Sequence, residues 1–153
     1  MRTKKAEWFE CKITFDKLGE DALLKRVSEK YVVEALSYTE AEKRLLEETE
    51  PFLSGELEVK DIKKAQYKEV FFVEDSVEET RFYRAKLQFI LVDEKTEKEK
   101  RQNVVYLVQA ASLHKALNNI DCVMKGTMID YVQASMAETQ IVDVFEYMKE
   151  ETV

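Results

Sequence analysis

Tyr31-Val-Val-Glu-Ala-Leu-Ser-Tyr-Thr-Glu-Ala-Glu-Lys-Arg-Leu45 recurs downstream as Tyr106-Leu-Val-Gln-Ala-Ala-Ser-Leu-His-Lys-Ala-Leu-Asn-Asn-Ile120. Tyr31, Val33, Ala35, Ser37 and Ala41 are matched by Tyr106, Val108, Ala110, Ser112 and Ala116. In each copy the apolar residues first alternate, as in a strand with one buried face, and after the serine they recur at helical spacing. Ser37 followed by Glu40 has the spacing of a capping box, which accepts an orphan backbone N–H at a helix start. Each copy therefore predicts a strand that runs through a capping serine into an amphipathic helix.

The pattern extends outward from both copies. Upstream, Phe9, Cys11, Ile13 and Phe15 share one face of an alternating stretch, and Trp8, Glu10, Lys12 and Thr14 share the other. Its counterpart is Phe82 to Phe89, with Tyr83, Ala85, Leu87 and Phe89 toward the core. Hairpin loops are expected at Asp16 to Asp21 and at Asp93 to Arg101. Downstream, Tyr38, Ala41, Leu45 and Phe52 fall on one face of the first helix, which Pro51 and Ser54-Gly55 bring to an end. The second helix carries Leu113, Ala116, Leu117, Ile120, Val123 and Met124, and Lys125-Gly126 reads as its stop, the glycine tolerating φ > 0. Leu57 to Phe71 then reads as one long bent strand or two short ones. Tyr131 to Phe145 answers it, Val144-Phe145 standing where Val70-Phe71 stands. The spacing between copies is 74 residues at Phe15/Phe89, 75 at Tyr31/Tyr106 and 74 at Phe71/Phe145.

These patterns predict an α+β fold of two tandem β-β-α-β pseudo-repeats, 7–73 and 81–147, packed as one domain over residues 1–153 with mostly antiparallel sheet. The acidic stretch Glu74 to Thr80 is the expected linker, and the tail from Glu146 to Val153 is expected to fray.

Composition narrows the function classes. The chain has 153 residues, 45% of them apolar and 36% charged, with a formal net charge of −7. That charge argues against strong non-specific nucleic-acid binding, which needs a cationic surface. Cys11 and Cys122 are too few and too distant for a disulfide framework or a zinc site, and both fall in apolar-periodic stretches, so both are expected as small buried hydrophobes. No apolar run approaches a membrane span, and no apolar stretch follows the basic residues near Met1, so neither a membrane segment nor a signal peptide is expected and the location is cytoplasmic.

No cofactor loop, nucleotide loop or nucleophile elbow is present. His114, the one histidine, falls in the first turn of the second helix and reads as a surface residue rather than a base. The carboxylates Glu40, Glu42, Glu47, Glu48 and Glu50 read as a solvated helix face. Lys60, Lys63, Lys64 and Lys68 form a basic cluster interrupted by Asp61 and Glu69. No catalytic residue, metal ligand or cofactor is therefore expected.

The chain resembles an uncharacterised bacterial family, domain of unknown function 4494, also met in phages and prophages. The residues that carry the resemblance are Trp8-Phe-Glu-Cys-Lys12, Ser37-Tyr-Thr-Glu-Ala41, Pro51-Phe-Leu-Ser-Gly55, Ala65-x-Tyr67-x-Glu69-Val-Phe71, Met124-Lys-Gly-Thr-Met128 and Asp143-Val-Phe145. It spans nearly the whole chain and implies no activity.

The expectation is a small non-catalytic intracellular binding or adaptor protein, taking a protein partner or a second copy through a strand edge. The alternative is a nucleic-acid-binding accessory protein of a bacterium or mobile element. In that reading Trp8, Lys12, Phe82, Arg84 and Lys86 form an aromatic and basic sheet face for single-stranded nucleic acid. The competing reading of the same residues is an amphipathic sheet whose second face is covered.

Overall fold

The computed structural model describes residues 6–53, 56–73 and 78–147. The expected stop at Ser54-Gly55, the linker residues 74–77 and the tail residues 148–153 lie outside the described residues. The fold is mostly sheet with two helices, an α+β arrangement. In chain order the elements are β1 (Glu7–Leu18), β2 (Leu24–Ala35), α1 (Tyr38–Thr49), β3 (Glu58–Ala65), β4 (Glu69–Phe71), β5 (Arg81–Val92), β6 (Glu99–Ala110), α2 (Leu113–Lys125), β7 (Tyr131–Glu138) and β8 (Ile141–Phe145). A single 3-10 turn over Glu50–Phe52 follows α1. Both sheets are four-stranded and mixed, ordered β3-β1-β2-β8 and β4-β6-β5-β7. The hairpin pairs and the β1–β3 and β5–β7 pairs are antiparallel, whereas β8 lies parallel to β2 and β4 parallel to β6.

The chain divides into two compact units, Met1–Ala65 with Gln140–Val153, and Gln66–Thr139. These units are not the pseudo-repeats. The first sheet takes β1, β2 and β3 from residues 7–73 but β8 from residues 81–147. The second takes β5, β6 and β7 from 81–147 but β4 from 7–73. The stretch Leu57 to Phe71 is thus two strands in two different sheets, and so is Tyr131 to Phe145.

In the first unit the helix-facing side of the sheet carries Phe9, Cys11, Ile13, Phe15, Tyr31, Val33 and Ala35, packed with Ala41 and Leu45 of α1. Ser37 starts that helix by accepting from Glu40 N at 3.1 Å, and Glu40 Oε1 accepts in return from Leu36 N at 3.3 Å. Phe145 of β8 closes this core, its ring stacked on Tyr31 at 5.6 Å. β1 and β3 shift register between Lys12 and Ile13, leaving Lys60 as the extra residue on the edge strand. Such a bulge twists an open edge away from pairing.

The second unit uses the same devices. Tyr83, Ala85, Leu87, Phe89, Val104, Tyr106, Val108 and Ala110 face Ala116, Ile120 and Met124 of α2. Ser112 accepts from Lys115 N at 3.2 Å. Phe71 of β4 packs on Tyr106 at 5.2 Å. The register between β5 and β7 shifts between Lys86 and Leu87, with Ala134 as the extra residue.

Several local expectations need correction. Phe52 is 85% exposed rather than part of the α1 stripe, because Pro51 turns the chain into the 3-10 turn and carries the ring off the helical face. Cys122 is exposed, since its helical position is on the side of α2 away from Ala116, Ile120 and Met124. Gly126 caps α2 with φ −81°, so the glycine is not used for a left-handed residue; that conformation falls on Met128, with φ 59°. The first hairpin turns later than Asp16, because β1 continues to Leu18.

Leu45→Ala removes a fully buried side chain and is expected to cost about 2–5 kcal/mol of unfolding free energy. Phe52→Ala is expected to stay within about 0.5 kcal/mol of the parent, as for other surface changes. Urea unfolding followed by circular dichroism measures both, and a large loss at Phe52 contradicts its placement outside the core.

Candidate functional site

Strands β1 and β2 pair over their whole length, from Glu7↔Ala35 to Leu18↔Leu24. Their neighbours are shorter. β3 reaches along β1 only from Trp8 to Thr14, and β8 along β2 only from Lys30 to Val33. The last three pairs, Asp16↔Arg26 through Leu18↔Leu24, therefore project beyond the core as a two-stranded arm. Arg26 braces its root. The guanidinium donates to Thr14 Oγ1 at 3.2 Å and Glu58 Oε2 at 3.1 Å, and approaches Asp16 Oδ1 at 3.5 Å.

The tip of the arm is tied by hydrogen bonds of its own. Gly19 N donates to Leu23 O at 2.9 Å, Ala22 N to Gly19 O at 3.1 Å, and Leu23 N to Asp21 Oδ1 at 3.2 Å. A Cβ on Gly19 would come within 2.8 Å of that same Asp21 oxygen, so a side chain there disturbs the hydrogen bond. On this fixed loop Leu18, Leu23 and Leu24 are 63%, 62% and 69% exposed. Single exposed leucines are ordinary on a protein surface, but three adjoining ones on a braced tip form a patch.

The arm of the second unit is different in kind. Beyond Phe89↔Tyr131, β5 and β6 run on as Ile90↔Arg101, Leu91↔Lys100 and Val92↔Glu99. Each apolar residue there faces a long charged one, and the loop from Asp93 to Lys98 is polar. Leu91 and Val92 are exposed there as well, at 47% and 66%, but opposite charged residues, whereas Leu18 stands opposite Leu24.

The residues expected on a nucleic-acid face fall on separate sheets. Trp8 and Lys12 are on β1 of the first sheet, and Phe82, Arg84 and Lys86 on β5 of the second. Lys12 and Arg84 are exposed, while Trp8 and Lys86 are half-buried. Arg84 donates to Tyr67 Oη at 3.4 Å. Phe82 is 3% exposed, its ring edge-on to Phe72 at 6.2 Å, so it offers no face on which a base could stack. Thr14, Val32, Val70 and Leu107, on the sides of the two sheets away from the helices, are buried as well. The basic cluster also divides. Lys60 pairs with Glu58 and Lys64 with Glu7, both at 3.0 Å, whereas Lys68 belongs to the second unit and lies 5.0 Å over the Phe89 ring.

Two clefts remain. One of about 200 Å³ in the first unit is lined by Glu10, Cys11, Lys12, Lys30, Asp61 and Lys63. Burial, and then the charges of Asp61 and Glu10, push the Cys11 thiol up from 9.0 to about 12, so it stays protonated and weakly nucleophilic near neutral pH. The other, of about 400 Å³ in the second unit, lies beside the start of α2, where Lys115 Nζ meets Glu78 Oε2 at 2.6 Å. His114 is exposed in the same turn. Among the described residues, no group of three or more His, Cys, Asp or Glu is placed to hold a metal ion. None of the helices among them is long and apolar enough to cross a membrane.

A family model described as a domain of unknown function, DUF4494, matches residues 7–147, and the chain belongs to that family. No curated protein and no solved structure matches.

The two thiols differ in access, and this is measurable. One thiol per chain, Cys122, is expected to react promptly with a disulfide reagent in the folded protein, and Cys122→Ser to abolish that reaction. Cys11 is expected to react only on unfolding. Because its folded pKa lies above the unfolded value, the stability it contributes is fully present below pH 9 and is lost as pH rises through about 12. Prompt reaction of two thiols at neutral pH contradicts this placement.

Proposed function

We propose that the protein is a non-catalytic binding module that engages a protein partner through the leucine-tipped arm of its first unit. One observation carries the reading: Leu18, Leu23 and Leu24 stand exposed on a loop ordered by its own hydrogen bonds, at the end of an arm braced by Arg26. Those side chains contribute little burial to the fold, so their apolar character has its use in association. A fixed tip also loses little conformational entropy on docking, which favours affinity. A nucleic-acid partner is less well supported, because Phe82 cannot stack and the basic residues divide between two sheets.

The same reading includes a duplication. Matching serine caps, matching edge bulges at Lys60 and Ala134, and matching Tyr–Phe contacts support descent of the two halves from one β-β-α-β unit that exchanged its closing strand. One arm then kept or acquired an apolar tip, which is how a duplicated scaffold gains a single binding site. An exposed free thiol at Cys122 suits a reducing compartment, which supports the cytoplasm as the module's location.

The test compares the parent with a Leu18→Ser, Leu24→Ser double variant as baits for affinity capture from the cells that make the protein. The variant is expected to keep its circular dichroism spectrum and its unfolding midpoint, since both positions are exposed. It is also expected to lose the proteins that the parent retains. Capture that is identical for the two, or retention of nucleic acid that falls with salt in both, sinks the proposal.

A further inference from the structure

The closing strand β8 is the most transferable piece of the fold. It is only five residues long and is joined to β7 by Thr139 and Gln140 alone, yet β7 lies in the second sheet and β8 in the first. Its seat on β2 is complete in itself. The seat consists of parallel pairing over Lys30–Val33, burial of Ile141 and Val144, the Phe145 ring on Tyr31 at 5.6 Å with 13° between planes, and Tyr147 N donating to Glu34 Oε1 at 2.9 Å. None of these contacts involves the connection through residues 139–140.

We propose that the β8 seat on β2 is an interface for a second copy of this chain, with two molecules exchanging their β8 strands reciprocally. The occupant follows from the seat, because a second copy supplies an identical strand with the same pairing and the same rings. The exchanged and closed forms make equal contacts, so they differ in the connection and in the entropy of association. A short connection restricts how a strand can return to its own chain, and hinges of this kind are where exchange between copies arises. The balance is then set by concentration against the ~mM effective concentration that a short tether supplies.

The experiment uses the full chain carrying Cys122→Ser, so that no exposed native thiol interferes. One preparation carries Lys30→Cys and the other Ile141→Cys, positions that face each other in the register. The two are mixed unfolded, refolded at ~1 mM to match that tether, diluted and oxidised. A covalent dimer joining one preparation to the other is expected, with little of it after refolding at ~1 μM, a thousandfold below the same tether concentration. A chain carrying both substitutions should form the bond within itself at the lower concentration, which verifies the seat. If that chain cross-links internally but no mixed dimer forms at ~1 mM, the proposal is wrong. Deleting Thr139 and Gln140 gives an independent reading: a dimer as the main species supports exchange, and a folded monomer overturns it. A mixed dimer equally abundant at both concentrations also overturns it, since exchange then does not compete with the tether.

Discussion

Parallel pairing of two short strands, β8 on β2 and β4 on β6, is the constraint on which the rest of the architecture depends. Every other strand pair is antiparallel and close in sequence or follows the intervening helix. These two pairs instead bring residues from different halves of the chain into one sheet. Each delivers a phenylalanine to the tyrosine of the receiving strand, Phe145 to Tyr31 and Phe71 to Tyr106. Ring contacts of this kind contribute on the order of 0.5–1.5 kcal/mol beyond the area they bury. The first sheet thus stays incomplete until β8 is added, and the loop closed by Tyr147 on Glu34 spans 113 residues. Closing such a loop costs entropy before any contact is gained, which favours early formation of the two hairpins and late addition of β4 and β8.

Much of this was legible in the sequence, and the failures have definite causes. Alternation in Trp8 to Phe15 and Phe82 to Phe89 marks the first hairpin strands, and Ser37 and Ser112 mark the helix starts, because burial period and capping are local properties. The strand exchange is not local. Val70-Phe71 and Val144-Phe145 are the same residue types with the same seat, so either pair satisfies either sheet, and hydrophobic pattern alone cannot say which one does. Phe52 leaves the helical stripe because one proline redirects it. Cys122, two positions from both Ile120 and Met124, shares their apolar stretch without sharing their face.

The candidate site was less legible than the fold. Period-2 reasoning placed Trp8, Lys12, Phe82, Arg84 and Lys86 on strand faces away from the helices, but a strand face is open only if nothing lies over it. Phe82 and Leu107 are buried on that side. At the arm, the sequence Lys17-Leu18-Gly19 to Leu23-Leu24-Lys25 looks like a hairpin closing on apolar residues. Whether those leucines are core or surface depends on how far the flanking strands extend. β3 and β8 stop short, and this turns an ordinary alternation into an exposed patch.

The two arms argue that the pairing of leucines in this patch is a property of one unit rather than of the architecture. Both hairpins outrun their flanking strands, so both tips meet solvent whatever residues occupy them. In the second unit the tip pairs, Leu91↔Lys100 and Val92↔Glu99, set a long charged side chain opposite each apolar one, while Leu91 and Val92 themselves stay 47% and 66% exposed. In the first unit Leu18 faces Leu24, so two apolar side chains stand opposite each other. A protein that needed only to close a hairpin would gain solubility from the charged solution, which this same chain already contains. The leucines on both strands and in the loop of the first arm forgo that charged pairing. The difference between the arms lies in what faces each apolar residue, a second leucine in the first unit and a charged side chain in the second.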